Sequence, residues 1–265
     1  MEGNVNLNPN NFDNNYVDMS FLDDKVKKSS FYGKVFLYFG LGILVTSIIT
    51  LGLSLLYSTL EYASVMMFYG IFLVVSLIAM IIINFQIVTR LTRANGKSIL
   101  VPYIAYAVIY GVLFGCIAGL IQDPLVIGVS LGITALIFLG MCGIGYLTHN
   151  KMNIFLKITS VLTMAILLLC IVNLVIFPFA LFGGNYELYF AQAGIYWLME
   201  GIFFIVFLLY TIIDFARIRQ IAEAGAHKGA TNLTIYCAFT IYADFIAIFT
   251  YVLKFVLIAL ASRDN

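Results

Sequence analysis

Charge is what this sequence lacks most. Asp, Glu, Lys and Arg make up 10% of its 265 residues, while 63% are hydrophobic. A typical soluble domain carries about 25% charged and roughly 45–50% apolar residues. A soluble globular chain is thereby excluded, because an interior of this size cannot hide so much apolar surface. An excess of one sign is lacking too. The net charge of +1, with no acidic or basic block, argues against nucleic acid as a partner. Cysteine is sparse and scattered: Cys116, Cys142, Cys170 and Cys237 each lie in an apolar run and no two are neighbours. That excludes a paired redox or zinc pattern and leaves them as small hydrophobes. His149 and His227 fall in connectors and make no ligand cluster. Enzyme chemistry and a resident cofactor are therefore not expected. Alternating ten-residue segments are missing, so a transmembrane barrel is not expected either.

What is present is a set of long apolar runs, with a mean hydropathy of +1.04. Residues 1–31 stand apart. They hold seven Asn together with Lys25, Lys27 and Lys28, cannot bury enough surface to fold alone, and read as a flexible polar tail. This segment has no apolar core run of the kind a cleaved signal peptide needs. The remainder, 32–265, reads as one all-α polytopic domain of seven transmembrane helices. The spans fall at about 34–57, 63–88, 98–121, 125–147, 154–181, 188–216 and 233–261, each near the roughly 20 residues that cross a bilayer. Backbone in lipid must satisfy its own hydrogen bonds, which makes helices the expected form.

Loop charge orients the bundle. Connectors on one side hold Glu61, Asp123 and Glu187 and no basic residue; those on the other hold Arg90, Arg93, Lys97, Lys151, Arg217, Arg219 and Lys228. With Lys157 and the four lysines at 25, 27, 28 and 34, twelve of the fourteen basic residues share one face. By the positive-inside rule that face is cytoplasmic, so the amino terminus is expected inside and the carboxyl terminus outside. Gly111, Gly115 and Gly119 make a small-residue stripe on the third span, suited to close packing within the bundle or to dimerisation. Pro102 and Pro178 fall near helix ends, where proline costs little.

Four charged residues lie well inside the spans: Glu200 and Asp214 in the sixth, Asp244 and Lys254 in the seventh. A mid-bilayer charge costs at least about 2.5–3.5 kcal/mol, so each is a functional candidate by default. Asp214 precedes Arg217 by one turn, which also fits a structural ion pair near the interface. Asp244 lies roughly 16 Å along the last span with no basic residue within two turns, so it needs a partner from another helix or a proton. The two spans are consecutive and antiparallel. If the sixth helix continues to about Ala222, Asp214 and Asp244 lie at comparable depth and could face each other. Two carboxylates in a dry site cannot both ionise cheaply and titrate as a unit. Ionised, they offer hard oxygens to Ca²⁺. Glu200 lies roughly 21 Å from Asp214 on the same helical face. It reads as a second ion station or as a protonated, hydrogen-bonded side chain. Lys254 reads as a snorkelling residue.

Two stretches carry a family likeness. Tyr210-Thr-Ile-Ile-Asp214-Phe-Ala-Arg217-Ile resembles the end of the sixth helix in the Bax inhibitor-1 (transmembrane Bax inhibitor motif) family. Ala238-Phe-Thr-Ile-Tyr242-Ala-Asp244-Phe-Ile-Ala-Ile-Phe-Thr-Tyr-Val-Leu-Lys254 resembles its last helix, with Ala247 where an Asn is usual. The stretches Phe31–Gly42 and Gly140–Lys151 extend the resemblance upstream. It implies seven helices with the last one central, a di-aspartyl pH sensor at Asp214 and Asp244, and a pH-dependent Ca²⁺ leak. It also implies a basic latch at the end of the second helix, for which Arg90 is the best match and Arg93 the other. The partners expected are the bilayer, Ca²⁺ as transported ion, protons, and membrane proteins not named by the sequence. The location expected is the plasma membrane of a bacterium. The competing reading is a non-conducting regulator or scaffold in stress control. A retinal protein is disfavoured, because Lys254 is near the outer end and Trp197 is the lone tryptophan. A secondary transporter is disfavoured by the lack of an internal repeat.

Overall fold

The computed structural model describes residues 20–57, 59–60, 62–92, 98–121, 123–148, 151–182, 186–224 and 231–262. They form seven helices: α1 (Ser20–Tyr57), α2 (Tyr62–Thr92), α3 (Leu100–Ile121), α4 (Pro124–Leu147), α5 (Met152–Phe182), α6 (Tyr186–Glu223) and α7 (Thr231–Ala261). Each contains a stretch long and apolar enough to cross a membrane, and no strand occurs among the described residues. The protein is an all-α, multi-pass integral membrane protein.

Two boundaries differ most from the sequence reading. α1 begins at Ser20, so residues 20–31 of the expected tail are helical, and Phe31 is buried against the core. No Pro or Gly interrupts 20–32, so nothing stops the helix where the apolar run begins. α6 likewise runs to Glu223, which puts Arg217 and Arg219 on its last turns instead of in a loop. The run Ile218–Ala224 has no breaker before Gly225.

α3 and α1 make the tightest pair, and the glycine stripe is the reason. A Cβ added at Gly111, Gly115 or Gly119 would stand 2.8, 2.7 or 2.6 Å from the Cβ of Ile49, Leu53 or Tyr57 of α1. Without those side chains the backbones come close enough for Thr50 to donate to the Gly111 carbonyl at 3.2 Å. The stripe therefore serves packing within the bundle. Asp123 caps α4, accepting from the Leu125 N–H ahead of Pro124.

α7 occupies the centre. It packs against α1, α4 and α6 and touches α2 and α3. Its buried residues (Ile235, Ala238, Ile241, Tyr242, Phe245, Ile248, Val252) run around its circumference. α5 lies at the periphery, packed on α6. A second polar tie crosses the middle of the bundle. Tyr242 and Thr46 share a hydrogen bond of 2.6 Å, and the Thr46 hydroxyl lies 3.0 Å from the carbonyls of both Gly42 and Ala107. Tyr103 donates to the Tyr38 carbonyl at 2.8 Å.

Candidate functional site

The site is the seam between α6 and α7. The two helices run antiparallel in one steady register. Phe207 meets Tyr251, and Phe204 meets both Tyr251 and Phe255, all with ring centroids 5.7 Å apart. Toward the basic end of the bundle, the same register brings Asp214 of α6 into the neighbourhood of Asp244 of α7. Asp214, Arg217 and the Thr211 hydroxyl all act on the Asp244 carboxyl.

The two acids sit in different surroundings. Asp214 is near the rim, its side chain 14% exposed, and accepts from Arg217 Nη1 at 3.2 Å. The i,i+3 spacing on one helix makes that pair almost unavoidable. Asp244 is 8% exposed, and among the described residues its Oδ2 is the buried side-chain oxygen that no donor reaches. Thr211 lies beside it but also donates to the Phe207 carbonyl at 2.9 Å, and a hydroxyl has one proton to give. A buried carboxyl oxygen without a donor is costly as an anion. A proton or a cation would satisfy it.

Of the other sequence-derived candidates, Glu200 is held by Lys254 at 3.0 Å across the seam. Neither sequence reading of Glu200 anticipated that ion pair, and Lys254, expected to snorkel, is anchored by it. Arg90 donates to the Ser98 carbonyl at 2.8 Å; the guanidinium on Asp214 belongs to Arg217. Arg93, His149 and His227 lie outside the described residues. The four cysteines are unpaired thiols. One of them, Cys237, sits two turns before Asp244 on the same face of α7 and within electrostatic reach of Asp214. Among the described residues no group of three or more His, Cys, Asp or Glu is placed to hold a metal ion.

An open cleft of about 250 Å³ lies elsewhere, between α1, α3, α4 and α7, lined by Thr46, Thr50, Phe114, Phe245, Ile246 and Phe249. The α7 residues facing it lie roughly 100–200° around the helix from Asp244. The cleft and the Asp pair are thus on opposite faces of α7. Thr211 and the Thr46–Tyr242 tie were missed in the sequence. A hydroxyl one turn from an intramembrane acid was the available signal for Thr211; nothing local pointed to a pairing across 196 residues.

Seven apolar helices around a central last helix, with an acid buried in its seam, define a polytopic membrane protein. Residues 28–264 match the family described as inhibitor of apoptosis-promoting Bax1, and the chain belongs to that family. No curated protein and no solved structure matches the chain.

Proposed function

We propose that the protein is a pH-sensitive Ca²⁺ leak channel whose gate is the Asp214–Asp244 pair. The observation that supports this most is the orphaned Oδ2 of Asp244, buried in the seam next to a second carboxyl. Protonated, the pair is a neutral, closed contact between α6 and α7. Ionised, the two side chains repel and offer hard oxygens to Ca²⁺. Ca²⁺ prefers six to eight oxygens, so two carboxylates suit a passing ion better than a resident one. Arg217, already on Asp214, takes the latch role that the resemblance assigns to a residue such as Arg90.

In this reading the protein is not an enzyme and needs no cofactor. It works with the bilayer, Ca²⁺ and protons, in the plasma membrane of a bacterium, with its amino terminus in the cytoplasm by loop charge. Purified protein in liposomes loaded with a Ca²⁺ dye tests it. Wild type should leak Ca²⁺ at a rate that changes between mildly acidic and mildly alkaline buffer, and Asp244→Asn should flatten that profile. An unchanged profile in Asp244→Asn would remove the gate. No flux at any pH, with a stable membrane protein co-purifying, would favour the non-conducting regulator.

A further inference from the structure

The other end of the α6–α7 seam carries a second built arrangement. Lys254 Nζ lies 3.0 Å from Glu200 Oε2 and donates to the Tyr196 hydroxyl at 2.8 Å. The Tyr196 ring centroid is 4.8 Å from it and the Trp197 centroid 5.8 Å. Tyr251 completes the surroundings, within electrostatic reach of both Glu200 and Tyr196. A carboxylate, a phenol oxygen and a neighbouring aromatic ring together are a chemistry that recognises an ammonium ion. Here the ammonium is the chain's own.

The geometry points to an ammonium-binding site, formed by Glu200, Tyr196 and Trp197, that the protein keeps filled with Lys254. The site is placed for exchange. Lys254 is 33% exposed and Glu200 19%, and four methylenes let the lysine head swing away without moving α7. The aromatic walls favour a weakly hydrated organic ammonium over Ca²⁺, which seeks an all-oxygen shell. Free ammonium compounds therefore compete with a tethered one. Their apparent affinity is lowered by the fraction of time Lys254 is in place. This inference does not depend on ion conduction or on the Asp pair.

The chain has a single tryptophan, and it is in the site. Trp197 fluorescence of the purified full-length protein in detergent, titrated with tetramethylammonium against matched sodium chloride, reads occupancy directly. Lys254→Met should give a saturable change, with a midpoint at least ~10-fold below that of wild type. Adding Glu200→Gln to it should abolish the response. If Lys254→Met does not purify, Lys254→Gln keeps a donor beside Glu200 and carries the same test. The wild-type response at high concentration, lost in Glu200→Gln alone, provides a further arm. Lack of a saturable change in the Lys254 variants would overturn the proposal. So would a response that survives Glu200→Gln, or one to Ca²⁺ but not to tetramethylammonium.

Discussion

The two ends of the α6–α7 seam hold the same kinds of residue and handle them in opposite ways. At the acidic end, Glu200 meets a full counter-charge on the facing helix, with a phenol and two aromatic rings around it. At the basic end, Asp244 faces another acid and a hydroxyl already engaged with its own backbone. The first arrangement is satisfied and partly open to its surroundings; the second is dry and short of a donor. A paired, partly exposed charge holds the two helices together. An unpaired acid in the interior lowers stability.

This contrast can be broken by stability measurements, with recovery of folded protein on size exclusion after stepwise heating in detergent. The largest effect is expected at the dry end. Asp244→Leu removes the orphaned oxygen and the like-charge neighbour of Asp214, and should raise stability by about 1–3 kcal/mol. A loss of that size would show the carboxyl to be a structural bond. A smaller effect of opposite sign is expected at the paired end. Glu200→Leu leaves the Lys254 ammonium without its carboxylate and should cost about 1 kcal/mol, the modest figure following from its partial exposure. The smallest effect sharpens the point. Exchanging the charges, Glu200→Lys with Lys254→Glu, should stay within ~0.5 kcal/mol of wild type if the pair acts mainly by charge. A larger loss would mean that the ammonium is held only when it comes from the α7 side.

Part of this seam is legible in the sequence. Asp214 and Arg217 are a turn apart on one helix, so their pairing is local geometry. Continuation of the sixth helix to about Ala222 is the condition for Asp214 and Asp244 to share a depth, and α6 ends at Glu223. The Glu200–Lys254 pair could have followed from the same step. Glu200 is fourteen residues back along α6 and Lys254 ten forward along α7, a mismatch of only about one turn in antiparallel helices. Treating each residue alone concealed it. The helical start at Ser20 was concealed for another reason. Hydropathy marks where a helix enters lipid, whereas helix continuity depends on the absence of breakers.

Composition and periodicity alone determined the membrane class, the seven spans and the small-residue face of α3, because the bilayer permits few alternatives to apolar helices that satisfy their own backbones. They could not decide which side of α7 faces which neighbour. Packing placed Asp244 toward α6 and Tyr242 toward Thr46, separating the acid from the open cleft. In lipid the hydrophobic effect does not distinguish one apolar helix face from another. Rotation about each axis is set by close packing and by a few hydrogen bonds between distant residues, and those exist only once the helices have met.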